Sequence, residues 1–259
     1  MSAVLWSDFK ARELAAFATR DPLVILPIGS TEQHGPHLPV QVDSLLVAEV
    51  AGRAAERMKE PVLVMPTIWT GLAEHHMGLG GTVTLDYATF HALIRQVCLS
   101  LTRQGIGRIA LLNGHGGNIV ALQVMAGELA KEVPAVVAVA TYFLLAQPRF
   151  AEILERQIGV RHACEAETSM MLALRPDLVD QAAMMAVDAP AEGLSSEGFH
   201  RWRPIEHWSA SGVIGYPAAA SAEKGERLLE AAADVVAAEL AQESLWSPPS
   251  RRQVDPRKK

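Results

Sequence analysis

Cysteine is scarce in this sequence. The two cysteines, Cys98 and Cys164, stand far apart and form no C-x-x-C pair. A small secreted scaffold held together by disulfides is therefore excluded, because such scaffolds need several closely spaced cysteines. Two isolated thiols are typical of a protein in a reducing compartment, so we predict a cytoplasmic location.

The sequence also lacks long apolar runs and any excess of basic residues. No apolar run reaches the ~18 residues that a membrane-spanning helix requires, and the amino terminus lacks the basic and then apolar pattern of a secretory signal. The formal net charge is -6, and no basic stripe runs along the chain. This balance argues against nucleic acid as a partner. We therefore predict a protein that binds neither membranes nor nucleic acids.

What the sequence does contain is an alternation of strand-like and helix-like segments. The 259 residues are 49% hydrophobic, which is enough for one large α/β domain with a substantial core. The alternation is typical of a parallel sheet with helices on both faces. We predict a single domain over residues 1–245 and a polar, flexible tail over residues 246–259.

The boundaries of the predicted elements follow from hydrophobic periodicity and from glycine, proline and capping residues. The predicted strands span residues 23–28, 62–65, 108–112 and 135–142. The predicted helices span residues 44–58, 85–103, 119 to about 132, 149–157, 166–174 and 221–242. Asp43 or Ser44 is expected to cap the first of these helices, and residues 191–215 are expected to form a loop.

A first cluster of chemically useful side chains follows the first predicted strand. Residues 29–43 read Gly-Ser-Thr-Glu-Gln-His-Gly-Pro-His-Leu-Pro-Val-Gln-Val-Asp, which places Glu32, His34, His37 and Asp43 in one loop. Loops at the ends of buried strands are where α/β proteins place ligands, and carboxylates with imidazoles bind Zn, Mn or Fe. The segment therefore predicts a hydrolytic metal site, with a polar surface loop as the alternative. We expect His37 to support the site rather than to bind metal.

A second cluster follows the third predicted strand and reads Asn113-Gly-His-Gly-Gly-Asn118. Its glycines allow the backbone to approach a ligand closely, and His115 is presented at the end of the strand. A phosphate-binding loop is a weaker interpretation, because the segment lacks the lysine of a P-loop. A tight turn with an exposed histidine is the structural alternative.

A third cluster, Arg161-His-Ala-Cys-Glu-Ala-Glu-Thr-Ser169, precedes an apolar helical stretch. It places His162, Glu165 and Glu167 at or before a helix start. For Glu165 the interaction of a carboxylate with the helix dipole explains its presence without any catalytic role. For His162 and Glu167 a functional role gains weight, because three separate clusters each supply carboxylates or imidazoles after an apolar element.

Taken together, the three motifs resemble those of the creatininase (creatinine amidohydrolase) family. They occur in the family order, and the resemblance extends over roughly residues 5–240. It implies a three-layer α/β/α fold with a mainly parallel sheet, two divalent metal ions per chain and a homo-oligomer, usually a hexamer. It also implies the metal ligands: Glu32 and His115 for one ion, His34 and Glu167 for the other, and Asp43 as the bridge between them.

The implied chemistry is the hydrolysis of an amide C–N bond by a metal-activated water. His162 matches a histidine beside the metals, where an imidazole of near-neutral pKa can pass a proton to the leaving nitrogen. The expected substrate is a small cyclic amide or a formamide. The alternatives are a metallopeptidase that trims a short precursor peptide and a non-catalytic metal- or ligand-binding module on the same scaffold.

The sequence departs from true creatininases around the substrate. They carry Tyr-Glu where this chain has Gly116-Gly117, and a substrate-stacking tryptophan before His162 is missing here. We therefore expect a pocket that is wider beside the metals and a substrate other than creatinine. Four residues are predicted to contact this substrate: Glu74, His75, Gly116 and Gly117. For the loop that carries Glu74 and His75, simple solvation is the alternative.

Overall fold

The computed structural model describes residues 5–187 and 201–247, and within them four strands form one parallel sheet. The strands are β1 (Leu23–Ile28), β2 (Val62–Val64), β3 (Arg108–Asn113) and β4 (Val136–Thr141). Their order in the sheet is β2-β1-β3-β4. All four predicted strands therefore exist, with boundaries that differ from the prediction by at most one residue at either end.

Helices cover both faces of this sheet, so the predicted three-layer α/β/α fold is confirmed. Alternate side chains of β1 point to opposite faces, which is the two-residue period of a strand. The helices are α1 (Ala11–Ala18), α2 (Val42–Arg57), α3 (Tyr87–Thr102), α4 (Ile119–Glu132), α5 (Tyr142–Leu145), α6 (Gln147–Ala151), α7 (Glu165–Leu174), α8 (Gln181–Ala186), α9 (Ala222–Leu240) and α10 (Glu243–Trp246). Leu23 and Ile25 pack in the core with α2, α7 and α9, whereas Val24 and Leu26 pack in the core with α3 and α4.

The start of α2 differs from the prediction that Asp43 or Ser44 caps it. The helix begins at Val42, and its N-cap residue Gln41 makes no side-chain hydrogen bond to the helix. The two predicted caps are engaged elsewhere. The Ser44 hydroxyl donates to the Ser30 carbonyl at 3.0 Å, and the Asp43 carboxylate faces His34 and His115.

The predicted helix over residues 149–157 is also wrong in its position. The observed helix α6 starts two residues earlier, because Pro148 favours a first helical turn. It ends at Ala151, and the N–H groups of Glu155 and Arg156 donate to the side chain of Glu165 instead of to helical carbonyls. The chain before His162 is therefore an ordered loop that is fastened to α7.

The sheet topology brings the predicted functional loops together. Ile28 and Asn113 are register partners at the carboxyl ends of adjacent strands, so the first and second motifs leave the sheet side by side. None of the helices in the described ranges 5–187 and 201–247 is long and apolar enough to cross a membrane. Most of the predicted flexible tail, residues 248–259, lies outside the described residues, as do residues 191–200 of the predicted loop.

Candidate metal centre

One buried asparagine ties the loops of the centre to one another. The Asn118 side chain accepts the Leu72 N–H at 2.9 Å and donates to the Gly29 carbonyl at 3.1 Å. It also contacts the Asn113 side chain at 3.2 Å. Because these partners belong to three different segments of the chain, Asn118 fixes the position of the first and second motifs relative to each other.

The five predicted ligands converge as two groups that share Asp43. In one group, His115 Nδ1 lies 3.0 Å from Glu32 Oε2 and 3.0 Å from Asp43 Oδ2. In the other, His34 Nε2 lies 3.4 Å from Asp43 Oδ1 and 3.9 Å from Glu167 Oε1. The two oxygens of Asp43 thus face different groups, which is the geometry that a bridging carboxylate requires. The donor atoms of each group lie within 4.8 Å of one another.

The buried polar atoms of these groups fit divalent cations. All five residues are at most 5% exposed, yet Glu32 Oε2, His34 Nε2 and Asp43 Oδ2 have no hydrogen bond of good geometry within the described parts of the chain. Unpaired buried polar atoms are rare because each loses its hydration without compensation. A carboxylate- and imidazole-rich set of this kind suits Zn, Mn or Fe.

Hydrogen bonds on the far side of each imidazole orient the nitrogen that faces the carboxylates. His34 Nδ1 donates to the Glu32 carbonyl at 3.2 Å, and His115 Nε2 donates to the Leu72 carbonyl at 3.1 Å. In the neutral ring the other nitrogen then carries a lone pair, which is the form that binds a metal. The backbone therefore selects the tautomer that each predicted ligand needs.

The electrostatics of the centre favour positive charge. Burial by itself lowers the pKa of His115, but Glu32 and Asp43 outweigh it and raise that pKa to about 10. The same competition, with Asp43 and Glu167 as the carboxylates, raises the pKa of His34 well above its ordinary value. In the absence of metal, protons thus take positions between carboxylates where a divalent cation would be more strongly attracted.

A third group of side chains lies beside this pair and contains His162. The Nδ1 atom of His162 is 3.4 Å from Glu32 Oε1, while its Nε2 atom donates to the Gln33 carbonyl at 2.8 Å. Burial and the neighbouring His34 and His76 lower the pKa of His162 well below its ordinary value. His162 is therefore a neutral imidazole whose Nδ1 lone pair faces Glu32, and its pKa lies below the near-neutral value expected of it from the sequence.

The side chain of Gln33 arranges the two histidines of this third group. Its Nε2 atom lies 2.7 Å from His76 Nδ1 and donates to it. The proton of His76 is then on Nε2, which lies 3.5 Å from Glu32 Oε1 and can donate to it. With the proton on Nε2, this nitrogen of His76 has no lone pair to offer a cation.

A cavity of about 290 Å³ opens onto the centre. His75, Gly116 and Gly117 line it, together with His162 and four of the five predicted ligands. Glu74 does not: it is exposed and lines a neighbouring cavity of about 610 Å³ with Trp202. His75 and Gly117 border both cavities. Of the four predicted substrate contacts, the structure thus brings three to the main cavity and one to its neighbour.

The two glycines of the second motif differ in the space around them. A Cβ atom on Gly116 would meet nothing within 4 Å, whereas one on Gly117 would lie 2.2 Å from the Leu72 carbonyl oxygen and 2.4 Å from His115 Nε2. The expectation that both glycines open volume is therefore wrong for Gly117. The space beside Gly117 is already occupied by the Leu72 carbonyl and the His115 ring, which form the hydrogen bond that fixes the tautomer of His115.

Several side chains of this region were not among the predicted site residues. Gln33 and His76 are two of them. The sequence offered a reason to select Gln33, because it stands between two predicted ligands. His37 is buried and bonds Thr168 at 2.9 Å, which agrees with the supporting role expected of it. The cavity wall adds five residues whose significance depends on tertiary structure: Phe143, Arg161, Arg203, Ile205 and Trp208.

Comparisons with known proteins found relatives over most of the chain. The family model described as Creatininase: Creatinine amidohydrolase matches residues 7–240. The creatinine amidohydrolase of Pseudomonas putida is 31% identical over 92% of this chain and 94% of its own length. The mycofactocin precursor peptide peptidase of Mycolicibacterium smegmatis is 33% identical over 80% of this chain and 79% of its own. The 3-dehydro-scyllo-inosose hydrolase of Thermotoga maritima is 34% identical, with 82% and 74% covered.

Solved structures extend the similarity to the whole fold. A crystal structure of creatinine amidohydrolase (creatininase) superposes with a TM-score of 0.80 and 29% identity, covering 96% of this chain and 100% of the other. Similar structures are described as a Mn form and as a Zn-Zn type of creatininase. The fold class predicted from the sequence, including its likeness to creatininases, is thus confirmed.

Proposed function

This chain belongs to the creatininase family, which is a family of hydrolases, and on that premise we propose that it is a metal-dependent amidohydrolase. The proposed reaction is the hydrolysis of a C–N bond in a small cyclic amide or a formamide. The single observation that carries the proposal is the bridging position of Asp43, whose two oxygens face two separate groups of buried donors.

In this proposal the ligands are those that the motifs indicated. Glu32 and His115 would hold one divalent ion, His34 and Glu167 would hold the other, and Asp43 would serve both. Ions bound there would supply Lewis-acid chemistry, which lowers the pKa of water and polarises an amide carbonyl. The protein's own contribution is to fix the donor atoms in place through backbone hydrogen bonds, which is the task of the Glu32 and Leu72 carbonyls.

His162 has a separate role in the proposed reaction. Its free Nδ1 atom lies at the edge of the centre, where it can hold a proton and deliver it to the leaving nitrogen. Gln33 keeps this nitrogen unprotonated by accepting the hydrogen bond from Nε2.

The test is a turnover assay combined with metal analysis. Protein purified without chelator is expected to contain up to two Mn, Zn or Fe ions per chain. The protein is then loaded with Mn or Zn and offered lactams, formamides and short peptides. Cleavage of one class of amide supports the proposal. Full metal content with no cleavage of any class favours the non-catalytic binding module instead.

A second candidate function is that of a peptidase. One observation favours it: the cavity of about 610 Å³ that holds Glu74 and Trp202 adjoins the main cavity through His75 and Gly117. A short peptide could extend from one cavity into the other, and a relative 33% identical to this chain is named as a peptidase. Cleavage of peptides in preference to formamides and lactams would select this candidate.

We further propose that creatinine is a poor substrate. Gly116 leaves open space where true creatininases carry a side chain, and the stacking tryptophan is missing. Each lost contact typically costs ~1–3 kcal/mol, so two such losses lower kcat/KM by orders of magnitude. A kcat/KM above the ~10⁴ M⁻¹s⁻¹ of ordinary enzymes for creatinine would overturn this expectation.

The chain is also proposed to form a homo-oligomer, with a hexamer as the family expectation. Exposed apolar side chains on α4 support self-association, because Val120 and Val124 are 71% and 53% exposed on one helix face. Light scattering at micromolar concentration should therefore give a mass several times the 27.9 kDa of one chain.

A further inference from the structure

We propose that the substrate carries an oxyanionic group, a carboxylate or a phosphate, and that Arg161 and Arg203 bind it. This inference rests on the proposed function, because it concerns the substrate of the same cavity. Arg161 stands directly before His162 in the third motif, and Arg203 lies in the loop that also supplies Ile205 and Trp208. Both arginines line the cavity that opens onto the metal centre.

Within residues 5–187 and 201–247, neither arginine forms an ion pair with a carboxylate. Other arginines of the chain are engaged in ion pairs: Arg53 contacts Glu49, Glu226 and Glu230, and Arg108 contacts Glu60. Within the described part of the chain, no ion pair of this kind involves Arg161 or Arg203. Their guanidinium groups always carry charge and present several N–H donors, so they are suited to an oxyanion.

The acidic side chains of the cavity wall are not available to pair with these arginines. The acidic residues among the lining side chains are Glu32, Asp43 and Glu167, and all three are proposed metal ligands. Two divalent cations would more than offset their charge. The loaded cavity would then have an excess of positive charge, which attracts an anionic ligand and disfavours a cationic one.

The rest of the wall indicates where the remainder of the substrate lies. Phe143, Ile205, Trp208 and Ile214 line the same cavity and offer apolar surface. A volume of about 290 Å³ accommodates a small ligand. The structure thus assigns an amide whose scissile bond lies at the metal centre, whose apolar part contacts these side chains and whose oxyanion reaches the arginines.

The experiment compares pairs of formamides that differ in one charged group. N-formylleucine is paired with N-formylleucinamide, and the formamide of 2-aminoethyl phosphate is paired with N-formylethanolamine. The metal-loaded protein is expected to cleave at least one anionic member with a kcat/KM about tenfold or more above that of its neutral partner, the usual scale of charge-assisted hydrogen bonds. The pair with the larger ratio identifies the oxyanion.

Variants then assign this preference to the two arginines. Arg203→Gln and Arg161→Gln should each lower kcat/KM for the anionic member by roughly tenfold and leave the neutral member within about twofold. Arg203→Lys should restore part of the loss, because it returns the charge but not the planar fork. Arg227→Gln is the matched control, since it removes the same charge from an exposed site on α9 that lies outside the cavity.

A binding measurement separates this inference from the proposed activity. The probes are a ketomethylene analogue of N-acetylleucine, in which the amide cannot be cleaved, and its carboxamide, titrated by calorimetry. Tighter binding of the carboxylate that is lost in the arginine variants supports the inference even if no formamide is hydrolysed. Turnover without any preference for charge, or equal losses for both members in the variants, would overturn it while leaving the hydrolase assignment intact.

Discussion

Glu165 and Glu167 stand two residues apart in the first turn of α7, and both are buried, yet their surroundings differ. Glu165 accepts the N–H groups of Glu155 and Arg156 at 2.9 Å each and pairs with Lys224 Nζ at 2.9 Å. Among the described residues, the polar contacts of Glu167 are the Cys164 N–H at 3.4 Å and the more distant His34 at 3.9 Å.

This difference distinguishes a structural carboxylate from one that is available to bind a ligand. The acceptors of Glu165 are filled by groups of the protein, so the residue fastens the loop before His162 to α7 and α9. Glu167 belongs to a group in which several buried atoms have unfilled bonding capacity within the described parts of the chain. Since buried polar groups are almost always paired, the second environment suits a cationic ligand.

The largest expected effect comes from removing the bridge of the incompletely paired group. Asp43→Asn keeps the shape of the side chain but removes its charge, and both metal groups depend on Asp43. Loss of a residue that merely supports a ligand weakens metal binding by roughly 10–100-fold, so losing a shared ligand should abolish binding at both sites. Elemental analysis should find no metal, and turnover should fall to background.

The matched control for this variant is Glu165→Gln, which neutralises a neighbouring carboxylate that is already paired. It should keep its metal ions. If Asp43→Asn retained full metal content, or if both variants lost metal equally, the contrast between the two environments would be wrong.

The next effect concerns proton transfer. His162→Gln should retain metal but lower kcat by roughly 10²–10⁴-fold, the usual contribution of a general acid–base group. His91→Gln is the control, because His91 lies on α3 and contacts Glu128 away from the centre. An unchanged kcat would make His162 a structural residue, and loss of metal would instead make it a ligand.

A third effect should appear in stability rather than in activity. Lys224→Met leaves Glu165 buried without its cationic partner, which typically costs 3–5 kcal/mol for a buried pair. Denaturant unfolding should show this loss, while the metal content changes little. In the double variant Glu165→Gln/Lys224→Met the loss should be smaller than the sum of the single losses, because the two groups interact directly. Strictly additive losses of stability would show that the ion pair between Glu165 and Lys224 does not stabilise the protein.

The same contrast explains how much of the structure the sequence could predict. The strands and the convergence of the motifs could be predicted, because buried β1 and β3 are continuous apolar runs that end in polar loops. The environment of Glu165 could not, since its partners Glu155, Arg156 and Lys224 come from two distant segments. The start of α2 was missed for a related reason: Asp43 and Ser44 have the chemistry of caps, but tertiary contacts engage them elsewhere.

Substitutions at the two glycines of the second motif test how rigidly His115 is held. Gly117→Ala would place a Cβ atom against the Leu72 carbonyl and His115, and such overpacking typically costs 1–3 kcal/mol. It should also weaken metal binding, because the His115 ring has to move. Gly116→Ala meets open space and should change both quantities little. Equal effects of the two substitutions, measured by thermal unfolding and metal titration, would contradict this account.

The smallest expected effect is a pH dependence of stability that comes from His37, which bonds Thr168 between Glu167 and the rest of α7. Burial, aided by His34, lowers the pKa of His37 to about 4 from an ordinary value of 6.5. Between pH 6.5 and 4 the unfolded chain therefore binds a proton that the folded protein does not, so the free energy of unfolding falls as the pH falls, by at most about 1.4 kcal/mol per pH unit.

This contribution is complete above pH 6.5 and should disappear in His37→Gln. Metal ligands also titrate in this range, so the comparison is made in the Asp43→Asn background, where loss of metal cannot contribute. Denaturant unfolding at pH 7.5 and 5.0 should show a smaller decrease for His37→Gln than for its parent. His37 lies beside the metal groups but is not a proposed ligand. Equal decreases in the free energy of unfolding for the two proteins would show that burial does not keep His37 neutral. The supporting role of this histidine would then rest on its hydrogen bond to Thr168 alone.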